Sequence, residues 1–312
     1  MLNYIMKRLV SLIITLFIII TITFFLMRTV PGGPFDTSDL PLNETVKEAL
    51  MEKYNLNDPL FKQYINFITG IVKFDLGLSY YYRGHTISDI IITGFPITFR
   101  LAVLAIIYII LFGIPMGILA AVNKDGFFDK FVMLFAIIGK TIPSFVTATM
   151  LLFVFAYQLG WFPIYGIDTF KHFILPSLAL SAGSIADMSR INRNSMLETL
   201  NQDYIRTARA KGLSKRRVIY KHALRNASIP NVTILGSKIV SLLAGSFVIE
   251  KIFALPGIGR YYIESINNRD YTVIIGVTIY YSILMLTFMI LIDVIYAYVN
   301  PRIRIHTKRV GD

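Results

Sequence analysis

Residues 204–230, YIRTARAKGLSKRRVIYKHALRNASIP, form a densely basic stretch between two apolar segments of the chain. From Arg190 to Ser228 the sequence has ten Lys and Arg but only two Asp and Glu. The pattern predicts a helix over 203–210, a break at Gly212 and a second helical segment over 214–224. A surface of this charge suits lipid, nucleic acid or a partner protein, and its surroundings decide between them.

The chain as a whole has the composition of a membrane protein. Its 312 residues are 55% hydrophobic and 16% charged, and the mean hydropathy is +0.61. Cysteine is absent, which excludes disulfides, thiolate metal sites and cysteine nucleophiles. The net charge of +12 fits the excess of basic residues in cytoplasmic loops, so we predict no nucleic-acid partner.

Six apolar segments predict six transmembrane helices, and the expected fold class is therefore all-α integral membrane. Uncharged runs of about 18 or more residues are long enough to span a bilayer. No small-residue cleavage site follows the first segment, which predicts an uncleaved span rather than a secretory signal. The segments are residues 9–27, 101–122, 131–157, 173–189, 232–250 and 272–296, and the third is broken by Lys140 and Pro143.

The distribution of basic residues orients the chain. With both termini in the cytoplasm, eighteen Lys and Arg fall inside and eleven outside, Arg100 among the latter, while Lys140 and Lys238 lie within spans. The predicted divisions are a first span with an external region (1–95), a transmembrane domain with a cytoplasmic loop at 190–230 (96–300) and a cytoplasmic tail (301–312).

The external region between spans 1 and 2 is predicted to fold. Residues 45–48 fit a capping box that opens a helix, and Asp58 with Pro59 fits the start of a second helix. These helices form a small cap over the bilayer, and they also suit contact with an external partner.

Ionisable residues inside spans are candidate functional positions. Lys140 lies near the middle of the third predicted span, and Asp187 and Asp293 are its candidate partners. A place on a transport pathway and a structural ion pair are both open interpretations. One lysine and two peripheral aspartates do not form a chain of carboxylates, which disfavours a proton or ion relay.

No sequence pattern for nucleotide binding or catalysis occurs. The phosphate-loop pattern GxxxxGK[ST] and the GxSxG elbow are absent, and the glycines at 257 and 259 lack a third at the required spacing. The chain is therefore expected to bind no cofactor and not to be an enzyme. Any energy from ATP has to come from another chain.

The basic stretch resembles the EAA-type coupling loop of bacterial ABC importer permeases, through YIRTARAKG (204–212) and the basic helix that follows. Three further motifs are similar to the branch that imports oligopeptides, dipeptides and nickel, and the PGGPF form is most similar to the B-type permease of oligopeptide importers. They are RTVPGGPFD (28–36), FDLGLSY (74–80) and FALPGIGRYYIESINNRDY (253–271).

The resemblance implies a coupling site within residues 203–225. Arg206, which replaces the glutamate that names the motif, stands at the EAA positions together with Thr207 and Ala208. Gly212 is the motif glycine. The other implied coupling residues are Leu213, Arg216 and Arg217.

The resemblance also implies a type I ABC importer permease fold, forming half of a translocation pathway in a bacterial plasma membrane. The implied partners are a second homologous permease, two cytoplasmic ATPases that hold ATP and Mg²⁺, an external substrate-binding protein or lipoprotein, membrane lipid and a peptide substrate. Dipeptides, nickel and metallophores are alternative cargoes on the same scaffold.

Two functions from other classes are weighed against this one. An ion-coupled secondary transporter often shows an internal repeat and carboxylates at the bilayer midplane, and no convincing repeat is visible. A membrane-embedded enzyme needs a catalytic constellation, and the sequence shows none.

Overall fold

The computed structural model describes residues 2–29, 32–35 and 43–299, and over these ranges the chain is almost entirely helical. The described part contains no β-sheet; its one extended pairing is an isolated bridge between Leu78 and Thr86. The helices are α1 (Leu2–Thr29), α2 (Glu44–Lys53), α3 (Leu60–Val72), α4 (Ile87–Val122), α5 (Phe127–Thr141), α6 (Ser144–Gln158), α7 (Lys171–Leu200), α8 (Asp203–Ala210), α9 (215–227), α10 (Ile229–Ile252), α11 (Ile258–Asn267) and α12 (Tyr271–Val299). The all-α fold class is thereby confirmed.

The chain forms two compact units. The first unit consists of Met1–Ile97 and Pro256–Thr287, and the second of Thr98–Leu255 and Phe288–Asp312. The end of the first segment lies close to the predicted boundary at residue 95. The return of residues 256–287 to the first unit is a long-range association that the order of the sequence does not show.

Within the part of the chain that the structure describes, three helices are long and apolar enough to cross a membrane. They are Leu9–Thr29 within α1, the whole of α4, and Tyr271–Ile292 within α12. A fourth span results if α5 and α6 are taken together as one bent segment. The segments predicted at 173–189 and 232–250 lie inside α7 and α10, which do not meet this criterion over their described residues. The count of six spans therefore stays a prediction.

The helix of the second predicted span begins earlier than the uncharged run. α4 begins at Ile87 rather than at residue 101, so Arg100 lies inside the helix. Thr86 and Asp89 close a capping box at its start: the Asp89 amide donates to Thr86 Oγ1 at 3.1 Å, and the Thr86 amide donates to the Asp89 carboxylate at 3.0 Å. Arg100 interrupts the uncharged run and so concealed the first half of the helix from a search for uncharged segments.

The third predicted span, residues 131–157, is not one continuous helix. α5 and α6 meet at an angle of 105°. Ile142 between them is extended, with φ −77° and ψ 123°, because the proline that follows disfavours helical backbone at the preceding residue. Lys140 lies in the last turn of α5, next to this break and near the middle of the bent segment 127–158.

Glycines let the helices of the second unit approach α7 closely. A methyl group on Gly117 of α4 would lie 2.5 Å from the carbonyl oxygen of Ser189, and one on Gly139 of α5 would lie 3.0 Å from Ala186 Cβ. Small residues at such positions bring helix backbones together. Ala186 and Ser189 of the small-residue segment 173–189 are the points of closest approach.

The helices of the external region begin differently from the prediction. The N-cap of α2 is Asn43, whose Oδ1 accepts from the Thr45 amide at 3.3 Å, so the predicted capping box at 45–48 is wrong. Pro59, not Asp58, is the N-cap of α3. Gln63 instead ties the preceding turn to α3 by donating its side-chain amide to the carbonyls of Leu56 and Asp58 at 2.9 and 2.8 Å.

Candidate coupling loop and membrane charge cluster

The basic stretch folds as two short helices on an apolar base. In α8, Ile205 and Ala208 are buried one turn apart, the spacing of an amphipathic helix. They pack in one cluster with Ala121 of α4, Met196 of α7 and the buried residues of α9, which are Val218, Ile219, Ala223 and Ala227. The cluster joins the loop to both α4 and α7.

The opposite side of the loop is basic and exposed. All eight Lys and Arg residues between 203 and 228 are exposed, while Asp203 is the one acidic residue in that range. Arg206 and Asp203 lie 3.5 Å apart with side chains 74% and 95% exposed, and a pair so well hydrated contributes little stability. The eight basic residues are Arg206, Arg209, Lys211, Lys215, Arg216, Arg217, Lys221 and Arg225.

Gly212 ends α8 in a Schellman motif. Its φ is +74°, and its amide donates to the Arg209 carbonyl at 3.0 Å, while the Leu213 amide donates to the Ala208 carbonyl at 3.3 Å. Leu213 packs against the apolar cluster, as the residue at that position of the motif commonly does. The break predicted at Gly212 is therefore the C-terminal end of α8, where the glycine has a left-handed backbone conformation.

A side-chain hydrogen bond links α8 and α9, the two helices of the loop. Asn226 Nδ2 donates to the Tyr204 hydroxyl at 2.7 Å. The residues assigned to the coupling site then divide into two groups. Arg206, Thr207, Gly212, Arg216 and Arg217 are exposed, whereas Ala208 is buried and Leu213 is half-buried. Ala208 and Leu213 belong to the base, so only the exposed residues can contact a partner.

Lys140 and Asp187 meet in the second unit. Lys140 Nζ lies 3.5 Å from Asp187 Oδ1, as the sequence predicts for this pair. Lys238 of α10, which the sequence did not indicate as a partner, lies closer, with Nζ 2.9 Å from Asp187 Oδ2. One carboxylate thus faces two ammonium groups. Asp293 lies in α12, and its side chain is outside the described residues.

Two polar contacts that the sequence did not indicate brace α7 next to the loop. The buried Asn192 donates to the Ile114 carbonyl at 2.8 Å and accepts from Asn231 Nδ2 at 2.9 Å. Arg193 forms a bidentate ion pair with the buried Asp129. Its Nε donates to Oδ1, and its Nη2 donates to Oδ2 at 2.6 Å. Adjacent polar residues on one helix were the only signal, and it does not identify their partners.

Arg100 lines a cavity of about 460 Å³ in the second unit. Its guanidinium carbon lies 6.0 Å from the centre of the Phe173 ring. The remaining lining is largely apolar, apart from Asp168 and Thr169. Sequence reasoning missed this cavity because it placed Arg100 outside the helix.

Residues of the three further motifs meet in the first unit. Asp270, in the motif 253–271, accepts from the Ser79 hydroxyl and from the Tyr81 amide, the latter at 3.1 Å. The Tyr271 hydroxyl donates to the Gly32 carbonyl at 2.9 Å. These contacts join RTVPGGPFD, FDLGLSY and the end of the third motif. Some residues of the three motifs therefore have a structural role, because they hold the motifs together.

A further contact of the third motif, with Tyr82, carries shifted pKa values. Glu264 accepts from the Tyr82 hydroxyl at 2.7 Å and from Arg260 Nε at 2.7 Å. Burial and the hydrogen bond to Glu264 raise the pKa of the Tyr82 phenol. The same carboxylate raises the pKa of Arg260 through its hydrogen bond, so both groups keep their protons at neutral pH.

Comparison with known proteins assigns the chain to a family. Residues 113–305 match the binding-protein-dependent transport system inner membrane component, and residues 1–102 match the N-terminal membrane component of the same systems. The chain belongs to this family. The resemblance to ABC importer permeases is thereby confirmed, and the ion-coupled transporter and the membrane enzyme are set aside.

Relatives of this family member match over nearly its whole length. The chain is 44% identical over 308 residues to the dipeptide transport system permease protein DppB of Bacillus subtilis, covering 99% of this chain and 100% of that protein. It is 41% identical over 306 residues to the oligopeptide transport system permease protein OppB of Haemophilus influenzae, covering 97% and 100%.

Two solved transporters share the fold. The MetNI methionine ABC transporter in an inward-facing form matches with a TM-score of 0.55 and 17% identity, covering 68% of this chain and 96% of that one. An amino acid ABC transporter with histidines matches with a TM-score of 0.53 and 20% identity, covering 68% and 94%. Both show the helical fold of an ABC transporter.

Proposed function

We propose that this chain is one half of the translocation pathway of an ATP-driven peptide importer, and that residues 203–225 couple it to cytoplasmic ATPases. The observation that carries the proposal is the two-sided structure of the loop. Its exposed side presents eight basic residues, while its buried side packs on Ala121 of α4 and Met196 of α7. A force applied to the loop therefore acts directly on two long helices.

The basic surface favours a protein groove with an acidic rim as its partner. A helix whose apolar face is fixed to the spans and whose polar face is free suits docking in a groove of another chain. We propose two such ATPases, which hold the ATP and Mg²⁺, because no nucleotide motif occurs in this chain. A second homologous permease and an external substrate-binding protein or lipoprotein complete the proposed importer.

The proposed cargo is a peptide of two or more residues. The support is the pair of relatives named for dipeptide and oligopeptide transport. Nickel and metallophores are the alternative cargoes. Uptake of a labelled peptide should be inhibited by an excess of unlabelled peptide and not by nickel. Inhibition by nickel and not by unlabelled peptide would contradict the peptide proposal and favour a metal as the cargo.

The proposed location is a bacterial plasma membrane with both chain termini in the cytoplasm. The support is the excess of basic residues in the loops assigned inside. This orientation places residues 203–225 on the side where ATP is available.

Reversal of two charges on the loop tests the coupling function. Arg216→Glu with Arg217→Glu should weaken co-purification of the ATPases and lower uptake, because both side chains are exposed and point away from the apolar base. Arg216→Lys with Arg217→Lys keeps the charges and should retain most of both signals. Normal uptake and a normal ATPase content in the reversed variant would show that this surface does not couple the complex.

A further inference from the structure

α3 has two exposed stripes of opposite character. Phe61, Ile65 and Val72 share one face of the helix, at spacings of four and seven residues, and they are 71%, 43% and 74% exposed. Phe74, just beyond the end of the helix, is 92% exposed. A polar stripe lies beside the apolar one on the helix surface. It consists of Lys62, Asn66, Thr69 and Lys73, which are all exposed.

A third face of α3 packs against α1. The Tyr64 hydroxyl lies 2.8 Å from Thr21 Oγ1, and the ring of Phe67 stacks on that of Phe24 with centroids 5.7 Å apart. Nearer the end of α1, Arg28 donates to the Gln63 side chain at 3.0 Å. Contacts of α3 with α1 therefore extend from the end of the span inward to Thr21.

These contacts fix the depth of α3. Leu9–Thr29 of α1 is a candidate membrane span, and Thr21 lies eight residues before its end. At a rise of 1.5 Å per residue, Thr21 is about 12 Å inward along the helix axis. Half of the hydrocarbon core is about 15 Å thick. With Leu9–Thr29 as a span, the face of α3 that contacts α1 reaches the level of apolar lipid, whichever side of the membrane it lies on.

We infer that α3 is an interfacial helix whose exposed apolar stripe, Phe61, Ile65 and Val72, is covered by the acyl chains of the phospholipid leaflet at the end of α1. The polar stripe then lies at the level of the headgroups. Lys62 and Lys73 have the long side chains that place an ammonium group there while their stems cover apolar surface. Amphipathic helices with this division of faces lie in the membrane interface.

Lipid explains the exposed stripe better than water does. An apolar stripe that stays in water costs about 25 cal/mol of free energy per Å² relative to burial. A binding protein or a second permease would also cover it, but the packed face of α3 sets the stripe beside a membrane span, where lipid is the surrounding medium. The region between spans 1 and 2 is then a part of the membrane surface and not only a cap above it.

Spin labels at paired positions test this inference. Because the chain contains no cysteine, single cysteines can be introduced without removing others. The variants Phe61→Cys, Ile65→Cys and Val72→Cys sample the apolar stripe, and Lys62→Cys, Asn66→Cys and Thr69→Cys sample the polar stripe. Each is labelled with a nitroxide in the assembled importer, reconstituted in phosphatidylcholine–phosphatidylglycerol vesicles, and its collision rates with oxygen and with a water-soluble nickel chelate are measured.

The oxygen-to-chelate ratio should be several-fold higher at each apolar position than at its polar neighbour. Equal chelate access on the two stripes would show that α3 lies in water and would overturn the inference. So would an apolar stripe closed to both reagents, because a protein partner would then cover it. Uptake of each variant is measured separately, so a failure of the peptide-importer function does not affect the result.

Discussion

At the level of single residues, Gly212 has the most specific backbone requirement in the coupling loop. Its φ of +74° costs an ordinary L-residue about 1–2 kcal/mol, and a Cβ atom added there would have no atom within 4 Å. We expect Gly212→Val to leave the spans inserted and the second permease bound, but to uncouple ATPase activity from loaded binding protein and to lower uptake. Both rates are measured in the reconstituted complex.

The matched control is Gly212→Asn, because asparagine tolerates the left-handed region better than other side chains do. It should keep most of the uptake and most of the response of the ATPase. An equal loss in both variants would show that backbone strain at position 212 is not the cause.

The two lysines that contact Asp187 differ in distance and in exposure. Lys238 is the closer partner, at 2.9 Å, and its side chain is 24% exposed, whereas Lys140 lies at 3.5 Å and is 57% exposed. Loss of one partner of a fully buried pair costs about 3–5 kcal/mol, and partial exposure reduces that cost here. We expect Lys238→Met to lower the yield of assembled complex more than Lys140→Met does, as measured by size-exclusion chromatography.

The pathway interpretation of Lys140 has a separate readout. If this side chain lines the translocation pathway, Lys140→Met lowers uptake while assembly stays normal. Normal assembly with normal uptake would remove both interpretations. A larger loss of assembled complex in Lys140→Met than in Lys238→Met would contradict the order of the distances.

The sequence predicts Asp187 as a partner of Lys140, and the structure confirms the contact. It does not predict Lys238, because that pairing depends on how α7 and α10 pack along each other. Spacing within one helix carries no information on its alignment with another. The same reason explains why the ion pair between Arg193 and Asp129 was missed.

At the level of secondary-structure elements, local signals account for what was predicted and what was not. α8 and the break at Gly212 follow from apolar spacing and one glycine, and both are confirmed. The bend between α5 and α6 also has a local cause, Pro143, which the sequence shows as a break in the third predicted span, although it does not show the angle. A charge at Arg100, by contrast, divided a helix that is continuous.

Close approach of α4 to α7 gives a prediction for Gly117. A methyl group there would lie 2.5 Å from the Ser189 carbonyl oxygen and 3.0 Å from the Arg193 amide nitrogen, both backbone atoms that cannot rotate away. Overpacking of this kind typically costs about 1–3 kcal/mol. We expect Gly117→Ala to lower the Tm of the purified complex in detergent, as followed by thermal unfolding.

Gly183 of α7 provides the control for Gly117. A methyl group on it would lie 3.4 Å from the Gly139 carbonyl oxygen, an ordinary contact, and alanine favours a helix over glycine by about 1 kcal/mol. Gly183→Ala should therefore leave the Tm unchanged or raise it. A Tm for Gly117→Ala equal to that of the parent chain would mean that α4 can move away from α7 at little cost.

At the level of the whole molecule, the family motifs and the coupling loop have different roles. The motifs at 28–36, 74–80 and 253–271 are joined by hydrogen bonds of Asp270 and Tyr271 within the first unit. The loop at 203–225 belongs to the second unit. Motif order along the chain identified the family, but not that three distant motifs form one structure.

The orientation of the molecule is the last prediction, and it depends on charge counted over all loops. With both termini in the cytoplasm, eighteen basic residues are assigned inside and eleven outside, which is the bias expected for this orientation. In intact cells, Glu48→Cys should react with a membrane-impermeant maleimide, while Ser214→Cys, at an equally exposed position, should react only after the membrane is opened. The absence of native cysteine keeps the background low. Labelling of Ser214→Cys in intact cells would place the basic loop outside, away from ATP, and would remove the basis for its coupling function.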